Sequence, residues 1–202
     1  MADNVAITAG AGTTIATDDI GGVQYPRSKV SLGADGSATD WVGTAGRGGY
    51  VDPRLSVVRL SVTPTISTSA YSAAQSIGGL LTFSNAARAS GGSCSVQSVQ
   101  ISDKVLSNNA SIDLVFFDRT LTATDQSNFD PTDTDITHFT GQVSIVPADW
   151  VGFNDNSAVS KTSLNMEMVL NGTDLFGVMI ARDANTWTTT SDLTVIVTVV
   201  QD

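Results

Sequence analysis

An all-β fold is predicted for this chain: a β-sandwich, with a jelly roll of about eight strands the leading topology, behind an extended Gly-rich N-terminal arm. Three observations predict it. Nineteen of the twenty acidic residues are Asp and only Glu167 is Glu, and Asp favours caps and turns where Glu favours helix interiors. With three Lys and few long unbranched polar residues beside abundant Thr, Ser, Val and Gly, the helix-forming stock is thin. Finally, short apolar runs recur at intervals from Leu55 onward, separated by Gly, Asn, Asp and Thr turns, the pattern of a sandwich.

Each strand has its own signal. The run Leu55–Val62 alternates and is closed by Pro64, and Ile77–Ser84 and Val96–Ser102 follow. Ser111–Asp118 contains the unbroken apolar Val115-Phe116-Phe117, which reads as buried on both faces. Phe139–Val146 comes next, then Ser163–Leu170, where Leu164, Met166, Met168 and Leu170 share one face and Asn165 and Glu167 the other. Leu175–Ala181 and Leu193–Val200 complete the set. Between them, the polar and acidic stretch Thr120–Thr140 holds Pro131-Thr132-Asp133, the cap of a short helix running toward Phe139. Pro147-Ala148-Asp149-Trp150 starts another single turn before a loop over Gly152–Ser157. These insertions lie at a sandwich edge, where partners and ligands bind.

The first fifty residues are different material. They hold ten of the eighteen glycines, and Thr14–Asp40 begins like a strand without settling into one: Val23 and Tyr25 alternate with Gln24, and Pro26 breaks the ladder. The dozen apolar side chains of this region are too few to offset the entropy of ordering fifty residues. The chain is therefore expected to divide into residues 1–50, an arm or small β subdomain, and residues 51–202, the sandwich. The arm needs another surface, its own sandwich or a different protein.

Composition excludes several function classes. A formal net charge of -10 with only ten Lys and Arg leaves no basic face for phosphate neutralisation, so no nucleic-acid partner is expected. No run reaches the ~18 apolar residues of a membrane helix, and the first twenty residues hold no signal-peptide core. No membrane partner or Sec export is expected. Cys94 is the one cysteine, so stability must come from packing.

Catalysis would have to use His138, the one histidine, and no Gly-x-Ser-x-Gly elbow exists; His138 is read as part of a capped turn, and the chain as no enzyme. Glu167 reads as a solvated strand residue. Asp130, Asp133 and Asp135 offer oxygen for a hard cation, but counting from Asp133 the EF-hand glycine position is His138 and the bidentate-acid position is Ser144. Helix capping is the simpler reading, with no metal and no cofactor. The sequons at Asn109 and Asn171 would matter only in a secretory pathway. Trp41, Trp150 and Trp187 sit in or beside irregular stretches and read as loop or interface anchors, with sugar stacking the alternative. Arg47, Arg54 and Arg59 bracket the junction of the two regions, whereas Asp118–Asp135 carries five acids and one Arg, a complementarity that suits head-to-tail docking between copies.

Four stretches carry a family resemblance. They are the opening Asp3-Asn-Val-Ala-Ile-Thr-Ala-Gly-Ala-Gly-Thr-Thr-Ile-Ala-Thr-Asp-Asp-Ile-Gly-Gly-Val-Gln-Tyr-Pro-Arg-Ser-Lys-Val-Ser-Leu-Gly-Ala-Asp-Gly36, then Gly78-Gly-Leu-Leu-Thr-Phe-Ser-Asn-Ala-Ala87, Asp113-Leu-Val-Phe-Phe-Asp118, and Thr186-Trp-Thr-Thr-Thr-Ser-Asp-Leu-Thr-Val195. The chain resembles virion structural proteins of tailed phages and prophages over nearly its whole length. The resemblance implies a head decoration, or cement, protein made in the bacterial host cytoplasm and carried on the capsid surface of the virion. It implies the major capsid protein and neighbouring copies of itself as partners, in a homo-oligomer for which a trimer is one symmetry. It supplies no catalytic residue. Partner contact is expected on the arm and its junction, through Val23, Tyr25, Arg27, Lys29, Trp41, Arg47 and Arg54. The rival expectation is a tail-associated adhesin that binds host-surface carbohydrate through Trp150 or Trp187.

Overall fold

The computed structural model describes residues 17–20, 23–26, 56–105 and 110–201. The chain divides into two compact units, Met1–Pro53 and Arg54–Asp202. In the first, β1 (Thr17–Ile20) and β2 (Val23–Pro26) pair antiparallel, with Thr17 opposite Pro26 and Ile20 opposite Val23. Pro26 stands at the end of its strand, where a missing N–H costs least.

Among the described residues the second unit holds nine strands: β3 (Ser56–Val62), β4 (Ser76–Phe83), β5 (Ser93–Asp103), β6 (Ile112–Phe117), β7 (Phe139–Ile145), β8 (Val151–Gly152), β9 (Ser157–Val169), β10 (Leu175–Ala181) and β11 (Leu193–Gln201). They form two antiparallel sheets, ordered β3-β11-β5-β9-β8 and β4-β10-β6-β7. Successive long strands switch sheets at every connection except β6 to β7, which gives the jelly roll that the sequence predicts. The expected eight strands are the eight long ones. The ninth, β8, is a two-residue edge strand that begins at Val151, one residue before the segment read as a loop.

The core lies between the sheets. Ile77, Leu81 and Phe83 of β4, Ile112, Leu114 and Phe116 of β6, and Leu175 and Met179 of β10 meet Val96, Val99 and Ile101 of β5 and Leu193, Val195, Val197 and Val199 of β11. Two irregularities adjust which side chains enter it. Gln97 is an extra residue in β5 relative to β11, so burial passes from Cys94 and Val96 to Val99 and Ile101, from even to odd positions. Its neighbour β9 changes phase at the same level: Val159 faces the core before Ser163, and Leu164, Met166 and Met168 face it after. Ser163 and Asn165 hold φ of 59° and 47° there. A bulge shifts a strand's alternation by one residue, which moves every later side chain to the opposite face.

In β4, the pairing with β10 shifts between Ile77 and Leu80. The two residues taken up are Gly78 and Gly79, with φ of +73° and +68°. Side chains resist that region, and a Cβ on Gly78 would run into Pro64 Cβ, so glycine is required on both counts.

Candidate functional site: the strapped face of the four-stranded sheet

The two outer faces of the sandwich differ. That of the five-stranded sheet presents Ser98, Gln100, Ser102, Thr194 and Thr198, all partly exposed. That of the four-stranded sheet is apolar: Val115 and Phe117 of β6 and Val178 and Ile180 of β10 are buried in a second cluster with Leu80, Leu121, Ala123, Phe129 and Phe176. This is why Val115-Phe116-Phe117 is apolar without a break: Phe116 enters the main core, while its neighbours enter the cluster on the other side.

Residues 118–138, which join β6 to β7, form a strap over this face. Backbone bonds fasten it to the start of β4: Ser76 N–H donates to Ser127 O and Gln126 N–H to Ser76 O, both at 2.9 Å, and Phe129 N–H donates to Ala74 O at 2.9 Å. Asp125 adds a side-chain anchor, its Oδ1 accepting from Tyr71 Oη and from Gly78 N–H, each at 2.6 Å. Burial first, and then the bond to Asp125, pushes the Tyr71 phenol well above its ordinary pKa. At the base of the strap, His138 Nδ1 lies 2.8 Å from Asp118 Oδ1.

The return limb contains the short helix α1 (Asp133–Ile136) that Pro131-Thr132-Asp133 predicts. Thr132 is its N-cap, and Asp135 closes a capping box by accepting from Thr132 N–H and Oγ1 while its own N–H donates to Thr132 Oγ1. Arg119 donates to the same carboxylate at 3.1 Å. The bonds from Thr132 and then Arg119 hold Asp135 below the ordinary carboxylate range. The oxygens that the sequence offers for a cation are thus engaged, at Asp135, in capping and ion pairing.

The strap does not close over the whole face. Between it and the sheet lies a cleft of about 310 Å³ lined by Ala74, Val115, Phe117, Phe129, Pro131, Ile136, Phe139, Gln142, Ile180 and Arg182. Phe117 forms its floor, packed edge-on against Phe129 (centroids 5.9 Å apart) and Phe139 (6.0 Å). Ile136 and Phe139 remain 53% and 41% exposed. Arg182 is neutralised by Asp113 at 2.7 Å. On the other side of Phe129, a second cleft of about 220 Å³ is lined by hydroxyls and acids, among them Thr122, Thr124, Asp130, Thr132 and Asp135.

Arg27, Lys29, Trp41, Arg47 and Arg54 lie outside the described residues, and Val23 and Tyr25 are placed only as members of β2. The tryptophans of the adhesin expectation are corrected. Trp150 and Trp187 are 8% and 1% exposed, with each Nε1 donating at 2.9 Å, to Ala110 O and to Asp103 Oδ2. They anchor loops and offer no ring to a sugar. The strap cleft escaped sequence reading because its lining comes from four separated segments; the available signal was the double-faced burial of Val115-Phe116-Phe117.

Among the described residues, no group of three or more His, Cys, Asp and Glu is placed to hold a metal ion, and no helix is long and apolar enough to cross a membrane. No family model matches the chain, and no curated protein matches it significantly. A solved structure described as "EclA C-terminal domain; sugar-binding protein" aligns over 78% of this chain and 86% of its own at 10% identity, with a TM-score of 0.26. A likeness at that score carries no argument about fold or function.

Proposed function

We propose that this protein is a non-enzymatic component of a tailed-phage particle that binds the outer surface of the assembled capsid and stabilises it. The observation that carries the reading is the open aromatic cleft on the strapped face, with Ile136 and Phe139 exposed at it. Exposed apolar surface with a polar surround, centred on well-packed aromatics, is the anatomy of a protein-docking site. A sugar site would instead present stacking rings among convergent polar groups, and Trp150 and Trp187 are committed to the interior. The resemblance of the sequence to phage virion proteins supplies the partner: the major capsid protein, with neighbouring copies of this chain beside it. A jelly roll serves viral capsid and lectin domains alike, so the support for docking comes from the surface and not from the fold.

The test uses particles grown from a genome with this gene deleted. Purified wild-type protein should sediment with their heads, and Ile136→Ser/Phe139→Ser, which alters two exposed side chains, should bind about tenfold more weakly or worse. Failure of the wild-type protein to sediment with heads, or undiminished binding by the double variant, would contradict the reading.

A further inference from the structure

Phe129 is the wall between two unlike clefts, and the contrast between them constrains what can dock there. On one side Val115, Phe117, Ile136, Phe139 and Ile180 offer an apolar socket. On the other, Asp130 and Asp135 sit among the threonines Thr122, Thr124 and Thr132. The strap as a whole carries Asp118, Asp125, Asp130, Asp133 and Asp135 against Arg119. Most of these acids are engaged: Asp118 with His138, Asp125 with Tyr71 and Gly78, Asp135 with Thr132 and Arg119. Asp130 has no hydrogen bond or ion pair among the described residues. The one cation at the apolar socket, Arg182, is already satisfied by Asp113, so it does not oppose an incoming positive charge.

We propose that the strapped face recognises a protein segment in which an apolar anchor is followed, two residues on, by a lysine or arginine; the anchor fills the aromatic cleft and the cation lies against Asp130 on the far side of Phe129. An extended segment places residues i and i+2 on one face about 7 Å apart, the scale of a single intervening aromatic ring. The threonine oxygens beside Asp130 supply further acceptors for an ammonium or guanidinium group. An acidic segment would meet uncompensated negative charge in a chain whose formal charge is already -10. The inference rests on the strapped face being a docking surface, and it adds the chemistry of what docks.

The probes are two short synthetic peptides, identical in a Gly/Ser frame except that the residue two positions after a single Phe is Lys in one and Glu in the other. Each is titrated into the isotope-labelled full chain and followed by amide shifts. Both should perturb amides around Phe117, Phe139 and Gln142. The Lys peptide should bind about fivefold more tightly at low salt, the preference shrinking as salt is added. In Asp130→Asn, which alters an exposed side chain, the preference should disappear. Equal affinities, a preference for Glu, or a Lys preference unchanged in Asp130→Asn would each overturn the proposal while leaving the docking surface in place. Absence of any perturbation by either peptide would overturn both.

Discussion

Trp187 Nε1 donates a 2.9 Å hydrogen bond to Asp103 Oδ2, joining two side chains that are each 1% exposed. Asp103 Oδ1 accepts from Val105 N–H at 2.8 Å, closing the end of β5. Nearby, Asp192 is pushed up by burial but held lower on balance by hydrogen bonds from Thr189 and Thr188. Asp103 is raised, by burial above all, with the hydrogen bonds from Val105 and Trp187 opposing.

A buried carboxylate with a raised pKa destabilises the fold once ionised. Folded Asp103 keeps its proton to higher pH than the unfolded chain does, so its contribution to stability falls as pH rises from the ordinary carboxylate value of ~3.9 through the raised value. Asp103→Asn removes the charge but offers an accepting oxygen to only one of the two donors, Val105 N–H and Trp187 Nε1. Its stability relative to wild type should therefore be poorest at low pH and improve as pH rises through the raised value. Asp103→Leu strips the acceptor from Trp187 Nε1 and Val105 N–H and should cost about 2–4 kcal/mol. Denaturant titrations of the three proteins across pH check both statements; an Asn variant less stable than wild type at neutral pH and equal at low pH would reverse the sign.

Two glycines with nearly the same backbone should respond differently to alanine. Gly78 and Gly91 have φ of +73° and +74°, but only at Gly78 is the space for a Cβ filled, by Pro64 and Ile66. Gly91→Ala should cost about 1 kcal/mol from backbone conformation alone. Gly78→Ala adds overpacking and should cost about 2–5 kcal/mol. Equal losses at the two positions would show that the Pro64 contact relaxes freely.

Asp125 ties the strap to both Tyr71 and Gly78. Asp125→Ala should lower stability by about 2 kcal/mol and speed hydrogen exchange at the strap amides of Gln126 and Phe129 more than in the β11 ladder. Asp125→Asn keeps the accepting oxygen and should cost less. Uniform acceleration across the strap and β11 would mean that the strap does not open separately.

Every described residue of both hydrophobic clusters lies in the unit from Arg54 to Asp202. A chain lacking residues 1–53 should therefore remain strand-rich by circular dichroism and unfold cooperatively. A product without cooperative unfolding would contradict the division.

Much of this sandwich is legible in the sequence because its strands alternate or are buried on both faces. Leu175–Ala181 is delimited as read, and β3, β4, β6, β7 and β11 lie within a residue or so of their apolar runs. The longer strands are less legible. The start of β9 at Ser157 is hidden because its first half is polar outward and its alternation changes phase at Ser163–Asn165, so only the Leu164–Leu170 stripe announces a strand. The same is true at Gln97, which conceals the first three residues of β5. The helix cap at Thr132 is local chemistry and was predictable; the cleft it borders is assembled by tertiary contact between Ala74, Phe117, Phe139 and Ile180 and was not. Trp150 and Trp187 show the same limit, since nothing local distinguishes an indole that anchors a loop from one that faces solvent.

In the proposed function, the protein stabilises an assembled capsid by binding it through the strapped face. A ligand that binds the intact shell better than the opened one stabilises it by mass action, and many modest contacts across neighbouring sites can do so through avidity. The direct measurement is the temperature at which particles release their DNA, followed by dye fluorescence, for particles lacking the protein, the same particles with saturating wild-type protein, and the same with Ile136→Ser/Phe139→Ser. Particles should form without the protein yet release DNA at a lower temperature; wild type should restore the higher temperature, and the double variant should not. Equal release temperatures with and without saturating wild-type protein would contradict the proposed function.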